Sequence, residues 1–152
     1  MSGQYYSFNE FLSDVRALEH KISAERFDGV ISIARGGIFT GLFIAEALEI
    51  NNFYIINAVH YRRDQKLQSV EIKNIPALVD EKNVLVCDEI ADSGETLRAV
   101  TQLLSERYKN TTFKTAVLFQ KESAAFTADY FVKPAFGWIE FFWEKELNPA
   151  LL

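Results

Sequence analysis

The sequence predicts an α/β fold, an open and mainly parallel twisted sheet flanked by helices. Three observations carry that expectation. Short apolar runs rich in β-branched residues recur: GVISIA (29–34), FYIINAVHY (53–61), NVLVC (83–87) and FKTAVLF (113–119). Segments with apolar residues at helical spacing separate them. The runs at 29–34 and 83–87 also lack strict alternation, the pattern of strands buried on both faces, as parallel strands are.

The elements follow in order. Ser7 stands three residues before Glu10, a capping-box spacing. Phe8, Phe11, Val15, Leu18 and Ile22 then recur at helical period, which predicts a helix over about 8–25. After the strand at 29–34, Ala34-Arg35-Gly36-Gly37 breaks the chain, and 38–49 reads as a helix apolar on most sides, hence well buried. The strand at 53–61 leads into a polar stretch, Arg62 to about Lys82. The strand at 83–87 follows, then an amphipathic helix with Leu97, Val100, Leu104 and Tyr108 on one face. Strands at 113–119 and 129–132 complete the sheet. WIEFFWE (138–144) is aromatic, and NPALL (148–152) reads as a frayed tail.

At 152 residues, with 49% hydrophobic and 24% charged, the whole chain, 1–152, reads as a single globular domain. A net charge of −5 argues against a general nucleic-acid binder, which usually presents a basic face. The longest apolar run, 38–48, is interrupted by Glu46 and too short to span a bilayer, so no stable membrane insertion is expected. Nothing at the amino terminus reads as a secretion signal. The lone Cys87 ends an apolar strand and reads as an inert buried thiol. The expected location is cytoplasmic.

Three strand ends carry polar residues directly after an apolar run: those before Arg35, Asp88 and Lys121. Ligands of open parallel sheets sit beyond such ends. The middle one is the most unusual. VLVCDEIADSGETL (84–97) gathers Asp88, Glu89, Asp92 and Glu95. Two carboxylates about 4 Å apart repel by roughly 1 kcal/mol in water and about 4 kcal/mol at the effective dielectric of a protein surface. A ligand must offset that cost. Ser93, Gly94, Glu95 and Thr96 open a helix, where unpaired amides and the dipole favour an anion. Read alone, that turn is more simply a Ser or Asp helix cap with a Gly turn. The adjacent Asp88 and Glu89 suit either the two cis hydroxyls of a ribose or Mg²⁺. Asp92 would oppose a phosphate, and so is expected to turn toward a reacting centre and exchange a proton with a substrate nitrogen.

The same stretch resembles the signature of type I phosphoribosyltransferases: an apolar strand, two acidic residues, two spacers, then Asp-Thr/Ser-Gly-x-Thr. The resemblance implies transfer of ribose 5-phosphate from phosphoribosyl pyrophosphate (PRPP) to a nitrogen base with Mg²⁺, releasing pyrophosphate. It places the 5-phosphate on residues 92–96 and the ribose hydroxyls on Asp88 and Glu89. Arg35, Gly36 and Gly37 resemble the family's pyrophosphate loop, where a non-proline cis peptide is often found; one is expected near Arg35. A permanently cationic Arg35 suits a leaving group that gathers charge.

Phe119-Gln120-Lys121 and Trp138-Ile139-Glu140 resemble the purine site of the bacterial xanthine-guanine phosphoribosyltransferases. The likeness implies that Lys121 donates to a 6-oxo group, Trp138 stacks on the purine, the Ile139 carbonyl faces the 2-position and Asp92 takes the N7 proton. Glu144, where family members often hold Asp, would reach a second Mg²⁺, so that Asp88, Glu89 and Glu144 are the candidate metal ligands. A small base-binding hood is expected over 121–144, and a mobile flap over 61–74, bearing Arg62, Arg63 and Lys66. The plain alternatives are a solvated loop lysine for Lys121 and a core or subunit-contact strand for the aromatic stretch. The chain departs from the pattern at Glu89 (usually Asp), Ala34 (usually Ser), His60 (usually Ser) and Phe141-Phe142 (usually a polar residue and proline). The sum is a purine-salvage transferase using PRPP and a 6-oxopurine, as a homodimer or homotetramer. The alternatives are a phosphoribosyltransferase for another base, such as a pyrimidine, or a non-catalytic regulator that senses PRPP or nucleotides.

Overall fold

A six-stranded sheet forms the centre of the protein in a computed structural model that describes residues 3–63 and 67–145. The elements are β1 (Gln4–Tyr6), α1 (Phe8–Ile22), β2 (Gly29–Ala34), α2 (Ile38–Ala47), β3 (Phe53–Arg63) and β4 (Leu67–Lys73). They continue with β5 (Asn83–Ala91), α3 (Glu95–Arg107), β6 (Thr112–Gln120), β7 (Tyr130–Pro134), β8 (Ile139–Phe141) and α4 (Phe142–Lys145). The strand order is β4-β3-β2-β5-β6-β7. Every pairing in that sheet is parallel except β3 with β4. The chain moves from β2 outward to β3 and later returns to the other side of β2 with β5. The order therefore reverses between β2 and β5, and a crevice opens at their carboxyl ends.

Alternation along the central strands divides the core into two layers. Val30, Leu85 and Cys87 pack with Phe11, Val15 and Leu18 of α1 and Ile44 of α2. Ile31, Val84 and Val86 face Leu97, Val100 and Leu104 of α3 on the other side. The central strands are thus covered on both faces, as their continuous apolar runs predict.

Local rules close the elements earlier or later than periodicity alone suggests. α1 stops at Ile22 rather than near 25: Ser23 caps it, its hydroxyl donating to the His20 carbonyl (2.8 Å), and the Glu25 amide then turns back onto the Ile22 carbonyl (2.9 Å). α2 stops at Ala47 rather than 49: Glu49 takes a left-handed backbone, φ 54°, and the Ile50 amide donates back to Ala45 (2.8 Å). β5 runs on to Ala91 rather than ending at 87, because β6 keeps pairing beside it as far as Ala91 with Gln120. Asp88 and Glu89 therefore lie within the strand, not after it.

The polar stretch expected as a flap is in part a hairpin, β3 and β4 pairing antiparallel from Asn57 with Lys73 to Arg63 with Leu67. Its outer strand escapes a reading tuned to buried strands because it lies at the sheet edge and carries charge on one face. The backbones of Arg62 and Arg63 belong to β3, while Lys66 and the tail at 148–152 lie outside the described residues. A second, two-stranded parallel sheet joins β1 to β8. Tyr6 anchors it: its hydroxyl donates to Asp14 on α1 (2.6 Å), and Lys133 at the end of β7 pairs with the same carboxylate (2.7 Å). Among the described residues no helix is long and apolar enough to cross a membrane.

Candidate active site

Three loops and a helix turn converge on the crevice between β2 and β5. The loop after β2 holds a cis peptide between Ala34 and Arg35, as expected. Beyond it the Gly37 amide donates to the Ile33 carbonyl and the Ile38 amide to Arg35, which starts α2 at once. The two glycines are dictated by what lies opposite. A Cβ on Gly36 would come within 2.2 Å of the Glu89 carboxylate, and one on Gly37 within 2.5 Å of the Cys87 carbonyl oxygen. Parallel pairing of β2 with β5 thus sets the Arg35-Gly36-Gly37 loop directly against the acidic pair.

Asp88 is buried, and its carboxyl is held well above its ordinary range by that burial and by the neighbouring Glu89. The Glu89 amide donates to Asp88 Oδ1 (2.9 Å). Glu144 on α4 joins from the far end of the chain. Burial raises its carboxyl too, the Phe141 backbone amide opposes the rise, Glu89 adds to it and Arg35 lowers it. The three expected metal ligands are gathered electrostatically but not as a finished cage. Among the described residues no group of three or more His, Cys, Asp or Glu side chains is set to hold an ion. An all-oxygen, incomplete set suits Mg²⁺, which takes one or two carboxylates and completes its shell with water and substrate phosphates.

A consequence for stability follows from the raised Asp88. A carboxyl whose folded pKa exceeds its unfolded value of 3.8 costs nothing below that value, where both states are protonated. The cost grows as pH rises from there through the folded pKa, and is complete above it. Asp88→Asn is therefore expected to raise the Tm of the ligand-free protein in EDTA by a few degrees at neutral pH and to leave it unchanged below about pH 4. Thermal melts at the two pH values check this, and an unchanged neutral Tm would mean that the carboxylate is already compensated.

The turn after β5 begins α3 on Gly94, whose φ of 81° is left-handed and whose N-cap makes no side-chain hydrogen bond. The Glu95 amide donates to Ser93 Oγ (3.3 Å). Beyond that bond, the first turn of α3 carries the amides that no helix supplies with an acceptor of its own, a place that suits an anion. Gly94 is also covered: a Cβ there would meet the backbone of Phe126 at 2.8 Å. Glu95, at the first turn of α3, is partnered from across the sheet: His60 Nε2 of β3 lies 2.9 Å from its Oε2. Only the sheet order, which puts β3 within reach of α3, could have revealed that pair.

The loop after β6 carries the remaining polar group. The Lys121 amide donates to the Ala91 carbonyl (3.0 Å), and its ammonium lies 2.5 Å from Asp92 Oδ1. Two residues singled out separately in the sequence are thus one ion pair across the ends of β5 and β6. Trp138 stays 65% exposed, its ring lying over Gly3, where a Cβ would come within 2.5 Å of Trp138 Cδ1. The Gln4 amide donates to the Trp138 carbonyl (2.9 Å). Since successive strand carbonyls alternate sides, that of Ile139 faces away from β1. The segment expected as a hood, 121–144, is thus joined through β8 to a strand the sequence did not announce, β1. A cleft of about 480 Å³ bounded by Glu25, Arg26, Asp28, Glu49 and Asn52 lies at the amino ends of β2 and β3, remote from all of these residues.

Residues 1–150 match the family described as the phosphoribosyl transferase domain. The xanthine-guanine phosphoribosyltransferase of Chromohalobacter salexigens is 27% identical over 139 residues, 91% of this chain and 82% of that one. Among solved structures, the Helicobacter pylori xanthine-guanine-hypoxanthine phosphoribosyltransferase superposes with a TM-score of 0.91 at 35% identity, covering 99% of each chain. A purine phosphoribosyltransferase from Pyrococcus horikoshii gives 0.83 at 26% identity, covering 95% of this chain and 96% of that one.

Proposed function

The chain belongs to the phosphoribosyl transferase family, and from that premise we propose that it is a purine-salvage enzyme. It transfers ribose 5-phosphate from PRPP to a 6-oxopurine, giving the nucleoside monophosphate and pyrophosphate. The observation that carries this reading is the Lys121–Asp92 pair beside the open amides of α3. It sets an ammonium donor and a carboxylate acceptor together within one loop of the phosphate site. A 6-oxopurine offers the matching set, an acceptor oxygen at C6 and a proton at N7.

The roles follow from chemistry. The amides and hydroxyls of Ser93, Gly94, Glu95 and Thr96 receive the 5-phosphate, with the His60 ring holding the Glu95 side chain beside it. Asp88 and Glu89 accept the ribose hydroxyls, and the Arg35-Gly36-Gly37 loop receives the pyrophosphate. Asp88, Glu89 and Glu144 are the residues that would hold Mg²⁺, which when bound neutralises charge on the departing pyrophosphate. As the purine N9 bonds to the ribose C1 and the bond from C1 to pyrophosphate breaks, Asp92 takes the N7 proton and Lys121 holds O6. Exposed Trp138 supplies a stacking face, and the Ile139 carbonyl, on the side of β8 away from β1, an acceptor at the 2-position. The β3–β4 hairpin, with Arg62 and Arg63 near its tip, closes over the site and excludes water.

Exposed Ile55 and Val59 on β3 favour self-association as a dimer or tetramer, and a buried lone thiol suits the cytoplasm. The test is a panel: PRPP and Mg²⁺ with guanine, xanthine, hypoxanthine, adenine, uracil or orotate in turn, following pyrophosphate release. Turnover of one or more 6-oxopurines is expected, with adenine and the pyrimidines poor. Turnover of uracil or orotate alone overturns the purine assignment, and tight PRPP binding without turnover of any base makes the protein a sensor.

A further inference from the structure

Gln120, the last residue of β6, is 6% exposed and has no place in the chemistry above. A buried carboxamide must satisfy two donor hydrogens and an acceptor oxygen. This one does so entirely on the loop that follows it. Its Nε2 donates to the carbonyls of Lys121 and Phe126 (3.2 Å each), and its Oε1 accepts from the Ala128 amide (3.0 Å). The two ends of the 121–128 loop are thus tied to one side chain. The middle of the loop is tied elsewhere: the Ala125 amide donates to the Ser93 carbonyl (2.9 Å), and Phe126 covers Gly94. The loop bearing Lys121 is held by Gln120 from below and rests on the phosphate turn from above.

Building on the purine reading, we propose that Gln120 is a positioning residue for base recognition, its carboxamide fixing the 121–128 loop so that Lys121 meets the base beside Asp92. The phosphate turn does not depend on it in the same way, because residues 92–94 are set by β5 and by the start of α3. Loosening the loop should therefore weaken the grip on the base and spare PRPP. A displacement of about 1 Å at a reacting group is enough to cost on the order of a hundredfold in rate, so even partial release is measurable.

Gln120→Glu keeps shape and the acceptor for Ala128 but turns a donor into an oxygen facing two carbonyls. It is expected to raise the KM for guanine or hypoxanthine about tenfold and to lower the preference for either over adenine. The Kd for PRPP, measured without base, should stay within about threefold of wild type. Lowering the pH protonates the new carboxyl, restores one donor and should draw the base KM back toward wild type. Gln120→Met removes all three bonds at similar volume and should act in the same direction; it carries the test if the glutamate variant does not fold. A folded variant with wild-type base KM and selectivity overturns the proposal, as does a parallel loss of PRPP affinity. If the wild type turns over other bases but no 6-oxopurine, the purine reading itself falls, which the variants alone could not cause.

Discussion

Asp92→Asn is expected to lower kcat by about a hundred- to a thousandfold while leaving the Kd for PRPP within about threefold. General acid–base groups contribute on the order of 10² to 10⁴ in rate, and the asparagine offers no carboxylate to take the N7 proton. The proposed phosphate site should survive, since it rests on the Gly94 turn and the first amides of α3 rather than on this carboxylate. The ion pair makes the prediction sharper. In the free protein Asp92 holds Lys121 at 2.5 Å, so an incoming base must compete with that contact for the ammonium. Removing the carboxylate frees Lys121, and the KM for the base should stay level or fall even as kcat drops.

That split separates proton transfer from scaffolding. A carboxylate that merely braced the loop would, when lost, raise the base KM together with the fall in kcat. Steady-state kinetics with each substrate varied in turn, and PRPP binding by calorimetry, provide the three numbers. A kcat within threefold of wild type would remove Asp92 from the chemistry.

The parts of this site that were legible in the sequence are those carried by one continuous stretch. GVISIA and NVLVC read as doubly buried strands because every residue but Asn83 is apolar or small, and the residues after them could be placed at a sheet's carboxyl end. Segments with weak or divided patterns were not legible. Three residues cannot display a period, so β1 and β8 passed unseen, and with them the Gly3 platform under Trp138. β4 alternates at a charged edge, and β5 continues past Cys87 only because β6 accompanies it. Pairings across the chain needed the strand order: Lys121 with Asp92 follows from β5 lying beside β6, and His60 with Glu95 from the path of β3 toward α3. Gln120 gave a signal that went unused. A lone carboxamide ending a buried apolar strand must find three partners, and the nearest backbone is the loop that follows.

Lys121→Ala should have the second large effect, on the choice of base rather than on the use of PRPP. A hydrogen bond to a charged group contributes about 1.5–3 kcal/mol, so loss of the ammonium should lower kcat/KM for a 6-oxopurine about ten- to a hundredfold. Adenine is affected differently. Its 6-amino group is a donor and leaves the wild-type ammonium without an acceptor, a mismatch that a hydrogen-bonding site rejects strongly. Removing the ammonium removes the mismatch, and the efficiency with adenine should hold or rise. The preference for 6-oxopurines therefore collapses from both sides, by roughly a hundredfold in all on the same hydrogen-bond scale. Lys121 is 27% exposed in its side chain, so water could partly serve the 6-amino group, and the discrimination rests on the ammonium displacing that water once the base is seated. PRPP affinity should not follow, because the Lys121 backbone bond to Ala91 and the Gln120 bonds to the loop need no lysine side chain. Competition between guanine and adenine in one reaction measures the ratio directly. An unchanged ratio would mean that another group reads the 6-position and that Lys121 serves Asp92 alone.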